Sequence, residues 1–350
     1  MKALALVLFF LAGTAHAQPI HEGDYIARNF QFTDGNTLPG LNLHYRTCGK
    51  PLKDRSGRTT NAVLIMHGTG GSGAQFIRPE FSGELFGPGQ PLDCGKYYVI
   101  LPDGIGHGKS SKPSDGLRAK FPQYGYRDMV KAQYELVTKG LKVNHLRLVM
   151  GTSMGGMHTW LWGQTYPDFM DALMPLASLP TQISGRNRAW RRTIMDAIRN
   201  DPAWQGGNYT LQPPSLRTAQ QMIWFMGSNP ILRQAQMPDR ATSDKVFDDA
   251  MDKAVASTDA NDVLYQISAS TDYDPGPGLE KIKAPLIAVN SDDDIINPPE
   301  LRIIEKEIKR VPRGKLVMIP LSENSRGHGS HTIAKLWMSE LKELLDTENK

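Results

Sequence analysis

Strand-like runs, several of them continuously apolar, recur along this chain at residues 41–46, 62–66, 97–101, 146–150, 172–177, 286–290 and 316–319, following a polar opening. Runs of that length suit strands buried on both faces of a sheet. Amphipathic stretches lie between them and read as helices. Over 129–141, Val130, Tyr134, Val137 and Leu141 recur at helical spacing, and 333–345 repeats the pattern near the end of the chain. The alternation predicts an α/β architecture, a mostly parallel sheet with helices on both faces.

One stretch breaks the alternation. Residues 181–274 contain no convincing buried strand, only helical patterns interrupted at Asp201-Pro202, Gln205-Gly206-Gly207 and Gln212-Pro213-Pro214. This segment reads as a helical cap over the C-terminal edge of the sheet, inserted between core segments 18–180 and 275–350. Its Trp190, Trp204, Met222, Trp224, Phe225 and Met226 have two possible roles. They either line a substrate pocket or pack the cap against itself.

Composition narrows the picture without choosing a chemistry. The 350 residues are 40% hydrophobic and 22% charged, a globular balance with room for one large domain. Net charge is +4, with no dense Lys/Arg run interleaved with aromatics, so the expected partner is a small-molecule substrate and no nucleic acid is implied. The cluster Arg186, Arg188, Arg191 and Arg192 is expected to form a solvated helix face.

The N-terminus predicts a compartment. Lys2, the apolar run 3–13 and Ala15-His16-Ala17 form the pattern of a cleavable signal peptide over 1–17, which implies a periplasmic or secreted protein beginning near Gln18. The run is shorter than the roughly 20 residues a membrane span needs, and no other segment is long and apolar enough. Cys48 and Cys94 are the two cysteines. One ends a predicted strand and the other precedes one, so in an oxidising compartment they can pair; two free structural thiols are the alternative. Their spacing matches neither a zinc site nor a CxxC motif, and no metal or cofactor is implied.

The strongest chemical signal is Leu148-Val149-Met150-Gly151-Thr152-Ser153-Met154-Gly155-Gly156, a strand entering Gly-x-Ser-x-Gly and then a helix. Such a turn lifts Ser153 clear of the sheet, and flanking glycines let backbones approach closely. A serine hydroxyl at its ordinary pKa needs a base and oxyanion donors. Met66-His67-Gly68-Thr69-Gly70-Gly71-Ser72-Gly73, after another strand, can supply a donor. The oxyanion hole is therefore assigned to the amides of Thr69 and Met154, with His67 structural. A phosphate loop would require the GxxxxGK[ST] lysine, which is absent.

The acid and base should follow the serine in chain order. Ser291-Asp292-Asp293-Asp294 follows a strand and offers the acid; Asp294 is the first choice and Asp293 the second. A calcium site is the competing reading, but one short run lacks enough oxygen ligands. Gly327-His328-Gly329-Ser330-His331, before the last helix, offers His328 as base ahead of His331.

With these residues in place, the chain resembles an α/β-hydrolase of the homoserine O-acetyltransferase-like branch. The resemblance runs from about residue 62 to the C-terminal helix. It rests on Arg127-Asp128-Met129-Val130-Lys131-Ala132-Gln133, Gly151-Thr152-Ser153-Met154-Gly155-Gly156-Met157, Tyr166-Pro167-Asp168 and Asp201-Pro202-Ala203-Trp204-Gln205-Gly206-Gly207. Asp103-Gly104-Ile105-Gly106-His107-Gly108-Lys109-Ser110 resembles the glycine-rich turn that many such proteins place after a central strand. The resemblance implies an eight-stranded, mostly parallel sheet with a helical lid and a triad of Ser153, Asp294 and His328. It also implies that Cys48 and Cys94 meet where an antiparallel second strand neighbours the fourth. The branch's transferases carry Asp after the triad histidine and an Arg-Phe-Asp-like cap stretch; here Gly329 and Asn261-Asp262-Val263-Leu264 stand there. Together with the leader, these differences point to water as the acyl acceptor.

Overall fold

The computed structural model describes residues 19–346, so the leader read at 1–17 lies outside the described residues. Eight strands form one sheet: β1 (His21–Gln31), β2 (Thr37–Cys48), β3 (Ala62–Met66), β4 (Tyr98–Pro102), β5 (Leu148–Thr152), β6 (Leu173–Leu176), β7 (Leu286–Ser291) and β8 (Gly314–Ile319). Their spatial order is β1-β2-β4-β3-β5-β6-β7-β8. Strand β2 pairs antiparallel with β1 and β4; every other pairing is parallel.

The central strands are fully buried because both faces are covered. Side chains alternate across the pleat. Leu64, Met66, Ile100 and Val149 join one apolar core with Met129, Val130, Trp160 and Trp162, from helices α2 (Tyr126–Glu135) and α3 (Met154–Thr165), α1 being Ser82–Leu85. Val63, Ile65, Leu101 and Met150 join the opposite core with Leu85, Trp337 and Leu341.

The polar opening turns out to hold β1. It lies at the sheet edge with only Ala27 and Phe30 buried, so the sequence shows neither a continuous apolar run nor a clean alternation. Two helix boundaries also shift. The pattern at 129–141 becomes α2 followed by a π-helical turn at Leu136–Gly140. The pattern at 333–345 breaks at Trp337, so its main helix begins only at Met338.

Between β6 and β7 the chain forms α4 (Gly185–Arg199), α5 (Ser215–Met226), α6 (Pro230–Gln236), α7 (Arg240–Ala256) and α8 (Ala260–Ser268); α9 (Ile303–Glu307) and α10 (Met338–Asp346) follow in the core. The inserted helices have an apolar core of their own, built from Ile194, Ile198, Leu216, Ala219, Val263 and Ile267. Trp190, Trp204 and Met222 pack against that core. Trp224 and Phe225 cluster with Phe247. Of the six aromatic and methionine residues singled out in this stretch, only Met226 lines the cavity over Ser153, so most of this content packs the inserted helices on themselves.

Cys48 and Cys94 are joined, with Cα atoms 5.6 Å apart across the β2–β4 edge. Among the described residues no helix is long and apolar enough to cross a membrane.

Candidate active site

Ser153 sits between β5 and α3 at φ 54° and ψ −110°. A side-chain-bearing residue at positive φ is strained by about 1–3 kcal/mol, and the surrounding contacts must impose it. Those contacts depend on glycine. A Cβ on Gly155 would lie 1.9 Å from the Met66 carbonyl oxygen, and one on Gly151 would lie 2.3 Å from the Gly155 backbone. The Ser153 amide donates to the Leu176 carbonyl at 2.9 Å, fixing the turn against β6. The pattern Gly-x-Ser-x-Gly thus reflects the close approach of β3, β5 and α3.

Loops from β7 and β8 bring the remaining polar groups to this point. His328 Nε2 lies 2.8 Å from Ser153 Oγ, and His328 Nδ1 lies 2.8 Å from Asp294 Oδ2. With Nδ1–H donated to the carboxylate, a neutral imidazole leaves Nε2 free to accept from the hydroxyl. Asp294 is 1% exposed. Its Oδ1 accepts from the Ile296 and Asn297 amides, and its Oδ2 accepts from the Asn297 side chain. Burial works to raise the Asp294 pKa, but the charge and hydrogen bond of His328 and the bonds from Asn297 outweigh it and hold the carboxyl below its ordinary value.

Asp293 points elsewhere. Its Oδ2 accepts from Ser325 Oγ at 2.9 Å, from the Gly327 amide at 2.8 Å and from Asn229 Nδ2 at 2.6 Å, and its Oδ1 accepts from Ser291 Oγ. It therefore fastens the His328 loop to β7 and to the inserted helices. His331 donates Nδ1–H to the His328 carbonyl and has no hydrogen bond to Ser153. Burial and the neighbouring His328 push its pKa down to about 3, leaving the ring neutral.

The loop after β3 runs beside the hydroxyl. A Cβ on Gly68 would lie 3.5 Å from Ser153 Cβ. Thr69 lines the same cavity as Ser153 and His328, and Met154 opens α3, where first-turn amides have no intrahelical partner. Asp103 anchors this loop: its carboxylate accepts from the Gly73 amide at 2.7 Å and from Arg46 Nη1 at 3.0 Å. Buried His67 adds a second tie, with Nε2 accepting from the Gly104 amide at 2.9 Å and Nδ1 donating to the Gly68 carbonyl at 2.8 Å.

The cavity over Ser153 has a volume of about 1010 Å³ and is roofed by Ile223, Met226, Gln266 and Ile267. Arg191 also lines it, contrary to the solvated face expected for the arginine cluster. Helix α4 turns this side chain inward, 3% exposed, with Nη1 donating to Ser270 Oγ at 3.2 Å, while Arg192 stays outside. Asp262 ties α8 to the loop after β4, accepting from the Ser114 amide at 2.9 Å and from Ser114 Oγ at 2.6 Å. Burial raises its pKa to about 6, against the lowering effect of the Ser114 bonds. Asn297, Asn229 and Arg191 went unread in the sequence as parts of the site. A polar side chain three residues after Asp294 and next to Pro298-Pro299 was the one local signal for Asn297.

The arrangement can activate a hydroxyl by general-base catalysis beside backbone amides able to hold an oxyanion. A family model described as alpha/beta hydrolase fold matches residues 61–322. A probable acyltransferase of Methanothermobacter thermautotrophicus is 30% identical over 308 residues, 87% of this chain and 92% of that one. A homoserine O-acetyltransferase of Trichormus variabilis is 30% identical over 340 residues, 89% of this chain and 90% of that one. Among solved structures, the acetyl esterase MekB superposes with a TM-score of 0.81 at 23% identity, covering 95% of this chain and 98% of that one. Sheet order, elbow and relatives agree: this chain belongs to the alpha/beta hydrolase fold family, in its homoserine O-acetyltransferase-like branch.

Proposed function

We propose that this chain is an exported serine hydrolase that cleaves an ester- or amide-type carbonyl through an acyl-enzyme, with residues 181–274 as a substrate-selecting cap. Ser153 Oγ attacks the carbonyl carbon while His328 Nε2 takes its proton. The amides of Thr69 and Met154 stabilise the oxyanion. Asp294 holds the imidazole tautomer and stabilises the imidazolium. His328 then returns the proton to the leaving group, and the same groups activate water against the acyl-enzyme. The observation that carries this reading is the relay from Asp294 through His328 to Ser153, with both contacts at 2.8 Å.

Water as the acceptor is supported by Gly329 directly after His328 and by the export pattern at 1–17. The rival reading is acyl transfer to a hydroxyl acceptor, and the named relatives that align along about nine-tenths of the chain favour it. Incubating the purified protein with p-nitrophenyl acetate, with and without homoserine, separates the two. Free acetate as the product at every acceptor concentration supports hydrolysis. O-acetylated acceptor formed faster than acetate supports transfer. The N-terminal residue of the exported mature protein tests the compartment.

A further inference from the structure

A second cavity of about 790 Å³ lies beside the first, between the start of α4 and the loop after β7. It reaches Met157, one helical turn beyond Ser153, and the side of the Asp294 loop. Its lining is mainly apolar: Leu179, Ile183, Tyr273, Ile295 and Ile303 contribute. At its rim Ile231, Leu301 and Leu321 are each more than half exposed. Ile296 is the residue common to the linings of both cavities.

The position of Ile296 explains how one side chain can divide them. Its amide is fixed by Asp294 Oδ1 at 2.8 Å, and its side chain packs against the apolar core of the inserted helices. The backbone is therefore held by the acid loop while the side chain forms a partition. We propose that the second cavity binds an apolar chain of the ester substrate, and that Ile296 sets how long a chain can pass from the Ser153 cavity into it. This rests on the hydrolase reading for its substrate, though not for the existence of the site. An apolar chain fits the chemistry because a lining of this kind gains free energy in proportion to the apolar area it removes from water.

The test compares wild type, Ile296→Ala and Ile296→Ala/Ile183→Trp, the last filling the second cavity from its wall. Two ester series are used, p-nitrophenyl esters with acyl chains from acetyl to decanoyl and alkyl acetates from ethyl to decyl, so that acyl and alcohol chains are told apart. Ile296→Ala is expected to raise kcat/KM for the longest relative to the shortest member at least tenfold in one series, with the added tryptophan reversing the gain. A ratio unchanged within twofold in both series overturns the proposal, as does a gain that survives the tryptophan. Decanoate binding by calorimetry needs no turnover. Tighter binding by Ile296→Ala than by the double variant supports the site even if no ester is cleaved, in which case the hydrolase reading alone fails. Equal affinities overturn the site.

Discussion

Asp293 and Asp294 are adjacent in the chain, yet their carboxylates do different things to one loop: Asp294 meets the His328 ring at Nδ1, 2.8 Å away, while Asp293 accepts from the Gly327 amide and the Ser325 hydroxyl just before it. One orients the imidazole, and the other holds the segment that carries it. Their substitutions should therefore fail in different ways. Asp294→Asn keeps the size of the side chain but removes the charge and permits the wrong imidazole tautomer, so kcat should fall by about 10²- to 10⁴-fold while the protein stays folded at neutral pH. Asp293→Ala leaves the Gly327 amide and the Asn229 side chain without their acceptor and should lower stability by about 1–3 kcal/mol, with a smaller effect on kcat. Steady-state kinetics and thermal melts on both variants check this division of roles.

Because the Asp294 carboxyl is held below its ordinary value, its ionised form is favoured in the folded state. Its contribution to stability is complete above the unfolded pKa of about 4 and is lost as pH falls through the lower folded value. Melts of wild type and Asp294→Asn should accordingly converge or cross on the acid side.

Asp262 has the opposite sign. Its folded pKa is raised from 3.8 to about 6, so between those values the native state binds more protons than the unfolded chain and stability declines as pH rises. Asp262→Asn, which can still accept from the Ser114 amide, should match wild type near pH 4. At pH 8 it should exceed wild type by about 1–3 kcal/mol. Thermal melts across that range measure the difference, and a constant offset would contradict it.

The cystine links residues separated by 46 positions where β2 ends beside the start of β4, whereas Ser153 follows the C-terminal end of β5. Constraint of the unfolded chain by a loop of that size should contribute about 2–4 kcal/mol. Cys48→Ser/Cys94→Ser should melt at a lower temperature while kcat is retained, and reductant should lower the melting temperature of wild type but not of the variant.

The parts of this molecule that can be read from sequence are those whose cause is local. The elbow at Ser153 is legible because the close approach of Met66 and Gly155 demands glycines at fixed offsets. Strands such as β3 and β5 are legible because burial on both faces leaves a short apolar run, Ala62–Met66 in one and Leu148-Val149-Met150 in the other. Edge strand β1 is not, since water on its open side allows polar residues at most positions. Asp293 and Asp294 carry the same chemistry one residue apart, and only the path of the chain after β7 decides which meets His328. Arg191 faces the cavity because of how α4 seats on the inserted helices, a rotation that its run of neighbouring arginines conceals.

The central claim is that the Ser153 hydroxyl is activated as a nucleophile. Treating the full-length protein with a fluorophosphonate and mapping the adduct by peptide mass spectrometry tests it most directly. A single stoichiometric adduct on Ser153, absent from Ser153→Ala and strongly slowed in His328→Ala, is the predicted result. A folded protein that shows no adduct, or carries it on another residue, would contradict the account.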